Sequence, residues 1–112
     1  MNVRMQVLLW TAQRASAAVL AVCVIVHLVT IIYAVRNGLS AAEVLGRTRG
    51  STAWAGFYSI FVAAIAVHAP IGLRSVLAET FNWRGRGLDV LVIAMGAALA
   101  LWGFRAVYAV FT

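Results

Sequence analysis

The run TAWAGFYSIFVAAIAVHAPIGL, Thr52 to Leu73, is uncharged, stops at Arg74 and holds a histidine near its end. A helix that crosses a bilayer needs about 20 mostly apolar residues, and this run supplies them. Two others bracket it, at about Ala15 to Val35 and Leu88 to Phe111, the last interrupted by Arg105. The chain is 112 residues long, 64% hydrophobic and only 11% charged. A soluble domain of that size could not enclose so much apolar surface. The connections are too short to fold alone. The expected architecture is an all-α membrane protein, one transmembrane domain over residues 1–112 with three helices at about 11–36, 52–76 and 88–111.

All nine basic residues are arginine, and the formal net charge is +6. They are spread through ends and connections, which suits contact with lipid headgroups. A nucleic-acid partner would need a basic face on a soluble fold, and the sequence has none. Cys23 is the single cysteine, so the chain makes no internal disulfide and cannot hold an iron–sulfur cluster, which takes about four ligands. No GxGxxG or P-loop is present for a nucleotide. If the chain takes part in redox chemistry, other subunits hold most of the centres. Arg14 breaks the apolar stretch that a signal peptide would need, so the N-terminal segment is expected to be retained. Arg4, Arg14, Arg74, Arg84 and Arg86 fall on one side of the membrane, and Arg36, Arg47, Arg49 and Arg105 on the other. Five against four favours a cytoplasmic N-terminus.

Residues 1–13 read either as a short interfacial helix, with Met1, Met5, Leu8, Leu9 and Trp10 on one face, or as a frayed terminus. In the first span Ser16, Leu20, Cys23, His27 and Thr30 share a face, whose polar members should point at protein rather than lipid. Ser40-Ala41-Ala42-Glu43 matches a capping box and predicts a short surface helix in the first connection. In the second span Phe57, Phe61, Ala64, His68, Gly72, Ser75 and Glu79 share a face, and Pro70 predicts a bend just after His68. In the third, Gly96, Ala100 and Gly103 are spaced for close helix packing.

An ionisable side chain inside a span is costly and is a functional candidate by default. Neutral imidazole is a good axial ligand for haem iron. Gly72, one turn beyond His68, would let a flat macrocycle lie close to the backbone, and Arg74 would neutralise a propionate. By helix rise His27 lies roughly 20 Å from Arg14, and His68 roughly 9 Å from Arg74. These depths do not match. The options are two haems at two levels, each completed by a partner's histidine, or one haem at His68. Each histidine also has a plain structural alternative, a hydrogen bond across helices. Arg14 reads either as a snorkelling interfacial arginine or as a donor to a quinone carbonyl. Thr11, Gln13 and Ser16 are near it in sequence, and Glu79 is expected at the same level as a proton group.

His68-x3-Gly72-Leu73-Arg74-x4-Glu79 resembles the H-x3-G-[IL]-R-H-x3-[DE] segment of the cytochrome b-556 membrane-anchor subunits of succinate dehydrogenase (succinate:quinone oxidoreductase, respiratory complex II). In that family the first histidine ligates haem b. Ligand, glycine, arginine and acid are kept here, while Ser75 stands at the second histidine. Gln13-Arg14-Ala15-Ser16-Ala17 is similar to the family's H-R-x-S-G, whose arginine and neighbouring hydroxyl help bind ubiquinone. Arg14 and Ser16 match that segment, whereas Gln13 and Ala17 depart from it.

The resemblance implies an anchor that is not an enzyme alone. It would form half of a heterodimeric bundle with a second membrane-anchor subunit, holding an iron–sulfur subunit and a flavoprotein subunit on a bacterial inner membrane. It implies haem b on His68 and electrons passing to or from quinone, in the electron transport chain and the tricarboxylic acid cycle. Diheme relatives carry a first-helix histidine followed by leucine, as in His27-Leu28, which implies a second haem iron at His27. Two alternatives stand beside this. One is a haem-free structural or assembly protein of the inner membrane. The other is a small homo-oligomeric transporter, against which stands the lack of a paired acidic–basic relay inside the spans.

Overall fold

The protein is seen in a computed structural model that describes residues 2–112; Met1, assigned to the interfacial face, lies outside them. Four helices follow in order: α1 Val3–Arg36, α2 Ala41–Thr48, α3 Thr52–Phe81 and α4 Arg86–Phe111. Three of them, α1, α3 and α4, are long and apolar enough to cross a membrane. No strand occurs among the described residues. The fold is an all-α membrane protein with three spans and one short surface helix.

The first helix differs from expectation. It starts at Val3 rather than near residue 11, with no separate interfacial helix before it. Asn2 caps it, its Oδ1 accepting from the Met5 backbone N–H at 2.8 Å. Between Val3 and Arg36 there is neither glycine nor proline, so nothing interrupts the backbone ladder where hydropathy changes. The helix ends at Asn37-Gly38, where Gly38 takes φ +96° and the Leu39 N–H reaches back to the Ala34 carbonyl at 2.9 Å. The predicted capping box is present, Ser40 Oγ accepting from the Glu43 N–H at 3.1 Å. α3 runs past the expected end at 76 and stops only at Asn82, in the left-handed region at φ 52°.

α3 is the centre of the bundle. α1 and α4 each pack along it and have no comparable interface with one another. Near the α3–α4 turn, Leu88 is fully buried in a cluster with Val92 and Ala78, flanked by Leu73 and Leu77. Two of the three small residues of α4 face α3. A Cβ on Gly96 would lie 3.1 Å from Pro70 Cγ and 3.3 Å from the Ala66 carbonyl oxygen. Pro70 has no N–H, so it leaves the Ala66 carbonyl without its helical donor. The bare backbone of Gly96 packs against that spot, where a weak Cα–H contact can partly compensate. α3 continues as helix through Pro70.

α2 closes the other end of the bundle. Thr48 is buried and donates its hydroxyl to the Val110 carbonyl at 2.9 Å, and the Gly50 N–H donates to the Phe111 carbonyl at 2.8 Å. Carbonyls of the last turn of a helix lack intrahelical partners, and here a neighbouring segment supplies them. Arg47 pairs with Glu43 on α2 and stacks over Tyr33 of α1, 5.5 Å from its ring centroid. Thr48→Val should therefore cost about 1 kcal/mol, the usual worth of one such hydrogen bond. A thermal melt of the purified protein in detergent checks this, and an unchanged midpoint would show that the contact carries no stability.

Candidate functional site

The α1–α3 seam carries two histidine–hydroxyl pairs. Ser16 of α1 lies opposite His68 of α3, with Oγ 3.3 Å from Nδ1. His27 of α1 lies opposite Tyr58 of α3, with Nδ1 3.3 Å from the phenolic oxygen. The two pairs are mirror arrangements: the histidine comes from α3 in one and from α1 in the other. Ser16 is buried and both histidines are half-buried. Ser16 and Cys23 are buried on the face that the first span was expected to turn toward protein, and His27 and Thr30 are half-buried there.

The register follows from these contacts. Gln13 faces Gly72, one turn outward from the Ser16–His68 pair. Eleven residues separate Ser16 from His27 along α1, roughly 16 Å at the helical rise. One iron with two axial ligands cannot span that distance, so His27 and His68 belong to separate levels.

Around His68 the polar contacts form a chain. The Ser16 hydroxyl donates to the Gln13 backbone carbonyl at 3.0 Å, and its oxygen faces His68 Nδ1. No hydrogen bond reaches His68 Nε2 among the described residues. These features fit an axial ligand: one ring nitrogen fixed by a second partner and the other left available. A Cβ on Gly72 would meet the Gln13 side-chain nitrogen at 3.2 Å, so the glycine lets the Gln13 side chain of α1 come close to α3. The Gln13 Oε1 atom is buried without a partner in this seam.

His27 is surrounded by rings. Tyr58 and Phe61 meet it edge-on, at centroid distances of 5.6 and 5.4 Å, and Trp54 stacks beside Tyr58 at 5.8 Å. Its Nε2 also has no hydrogen bond among the described residues.

The remaining candidates are not all gathered here. Arg74 Nε donates to Asp89 Oδ1 at 3.1 Å, so the guanidinium is tied to the first turn of α4. Arg14 is exposed, its guanidinium over the Trp10 ring at 5.1 Å. Glu79 and Ser75 are exposed. Since Gln13 faces Gly72, Glu79 lies about two turns farther out than Arg14 and not at its level. The expectation of a shared level assumed that α1 starts near residue 11. A cleft of ≈ 1070 Å³ opens between the first turns of α1 and α4, over α3. Leu9, Pro70, Ile71 and Val92 line its apolar part, and Arg74, Arg84 and Asp89 supply its charged groups. His68 and Arg14 are not in its lining.

The family model described as succinate dehydrogenase/fumarate reductase transmembrane subunit matches residues 1–107. The chain belongs to that family. No curated protein and no solved structure matches it. As a succinate dehydrogenase/fumarate reductase transmembrane subunit, it is a multi-pass membrane protein that works in a complex with other subunits. The matched range contains both histidine pairs.

Two site residues were missed from sequence. Tyr58 is one residue off the stripe through Phe57 and Phe61, and only the α1–α3 register puts it against His27. Asp89 had a readable signal, an acid in the first turn of a helix, but nothing local paired it with Arg74.

Proposed function

We propose that this subunit binds haem b through His68 and helps pass electrons between an iron–sulfur subunit and quinone, in a complex completed by a flavoprotein and a second membrane anchor. The observation that carries the reading is the His68 imidazole, half-buried in a span, held at Nδ1 by Ser16 and with no hydrogen bond at Nε2 among the described residues. When bound, the iron porphyrin supplies a one-electron store between clusters and quinone. The chain's own residues would do the rest. His68 would hold the group from this chain, and a histidine of the second anchor would complete the site, because His27 is too far away. Arg74 would meet a propionate with the guanidinium nitrogens that Asp89 leaves free. Arg14, close to the level of His68 and exposed, would donate to a quinone carbonyl. Exposed Glu79, farther out, would exchange protons with water. The setting proposed is a bacterial inner membrane with a cytoplasmic N-terminus.

The test is purification of the chain from its native membranes in mild detergent. The expected preparation contains flavin, iron–sulfur signals and a b-type reduced-minus-oxidised spectrum, and reduces quinone with succinate or oxidises quinol with fumarate. Flavin and clusters with no b-type band would support the alternative, a haem-free anchor in which both histidines serve as hydrogen-bonding groups.

A further inference from the structure

We infer that the two hydroxyl partners set opposite tautomers: Ser16 holds His68 with Nε2 bare, and Tyr58 holds His27 with Nε2 protonated. Ser16 is thus a positioning residue for His68, and His27 is a hydrogen-bond donor rather than a metal ligand. The inference builds on the reading of His68 as a haem ligand.

A serine hydroxyl has one proton to give. At Ser16 that proton goes to the Gln13 backbone carbonyl, 3.0 Å away. Toward His68 Nδ1, at 3.3 Å, the oxygen is then left to accept. The proton of the neutral ring must sit on Nδ1, and the lone pair on Nε2 is free. This is the form that binds iron, and a partner at the other nitrogen raises the basicity of the ligand. Ser16 cannot at the same time give its proton to a quinone carbonyl.

At His27 the hydroxyl is uncommitted. Among the described residues nothing else takes the Tyr58 proton. A phenol is a willing donor, and the neutral imidazole nitrogen is the stronger base of the two. Tyr58 therefore donates to Nδ1, at 3.3 Å. The ring proton of His27 moves to Nε2, which then presents an N–H. The edge-on contacts with Tyr58 and Phe61 hold the ring in that orientation. A group that meets His27 from a partner helix must be an acceptor.

The chain contains only two histidines, so its ring nitrogens can be followed by 15N NMR after labelling with 15N-histidine, in lipid nanodiscs without haem. The expected spectrum shows one ring protonated at Nδ1 and the other at Nε2. Ser16→Ala should turn the His68 signals into a tautomer mixture, Ser16→Thr should preserve them, and Tyr58→Phe should change only His27. A His68 protonated at Nε2, or a Ser16→Ala spectrum identical to wild type, overturns the role of Ser16. A His27 protonated at Nδ1 overturns the role of Tyr58.

This readout needs no haem, so its failure is separate from failure of the haem reading itself. In the assembled complex, Ser16→Ala should weaken haem affinity about 10- to 100-fold, the usual range for losing a partner of a ligating histidine. The haem midpoint potential should rise and the KM for quinone should stay unchanged. A raised KM with unchanged haem affinity would return Ser16 to quinone binding.

Discussion

His68→Ala should give a complex that still assembles its flavin and clusters but has lost the b-type absorption band. The loss is expected to be large, because the variant removes the only imidazole that this chain offers on its level of the α1–α3 seam among the described residues and leaves the haem group held from the second anchor alone. The second histidine lies roughly 16 Å away along the helix axis and cannot substitute. The fold should tolerate the change. His68 is half-buried, and among the described residues its side chain makes a single hydrogen bond, to Ser16; losing it leaves Ser16 still bonded to the Gln13 carbonyl. Reduced-minus-oxidised spectra normalised to flavin give the measurement. An unchanged haem-to-flavin ratio would remove His68 as ligand. His27→Ala is the companion variant, and it should leave the haem-to-flavin ratio where it was.

The second large effect concerns the α3–α4 contact. A Cβ on Gly103 would stand 2.5 Å from one methyl of Val62 and 3.0 Å from the other. The two helices must part, or Val62 must leave its rotamer. Overpacking of this kind costs roughly 1–3 kcal/mol, so Gly103→Ala should lower the unfolding midpoint of the purified protein clearly. Val62→Ala should largely rescue it, because it removes both methyls and leaves only the Val62 Cβ position, 3.3 Å away. Gly56 supplies the control. Nothing lies within 4 Å of a Cβ placed there, so Gly56→Ala should be neutral or gain up to about 1 kcal/mol of helix propensity. Equal losses at Gly103 and Gly56 would mean that close packing against Val62 is not what the glycine serves.

Much of this was legible in the linear chain, and the misses have physical causes. Hydropathy marked the three spans, because a bilayer demands long apolar runs whatever the packing. Ser40 and Glu43 announced α2, because a cap is a local interaction of neighbouring residues. The start of α1 was misjudged because hydropathy falls near residue 11 while helicity does not. The backbone follows caps and breakers, and Asn2 is the only cap in that segment. Shifting that start also shifted the expected level of Glu79. Gly96 and Gly103 announced themselves by spacing, but Gly72 turned its bare side to Gln13, which no periodicity on α3 alone can reveal. The same holds for Tyr58 and Asp89. Their partners lie on other helices, and the register between helices is set by contacts between them.

α3 holds both neighbours, while α1 and α4 barely hold one another, and Leu88 is the one large side chain fully enclosed among the described residues. In water such a chain would be driven to find a companion by its oily flanks. In lipid that drive vanishes, since acyl chains solvate leucine and valine as well as another helix does. Mate selection must then rest on shape and on the few heteroatoms still waiting for a counterpart, among them the Gln13 Oε1 and the His68 Nε2. A subunit of this design recognises its companion through a handful of atoms, so a single polar substitution in the seam could redirect assembly where dozens of aliphatic exchanges on the outer flanks would pass unnoticed.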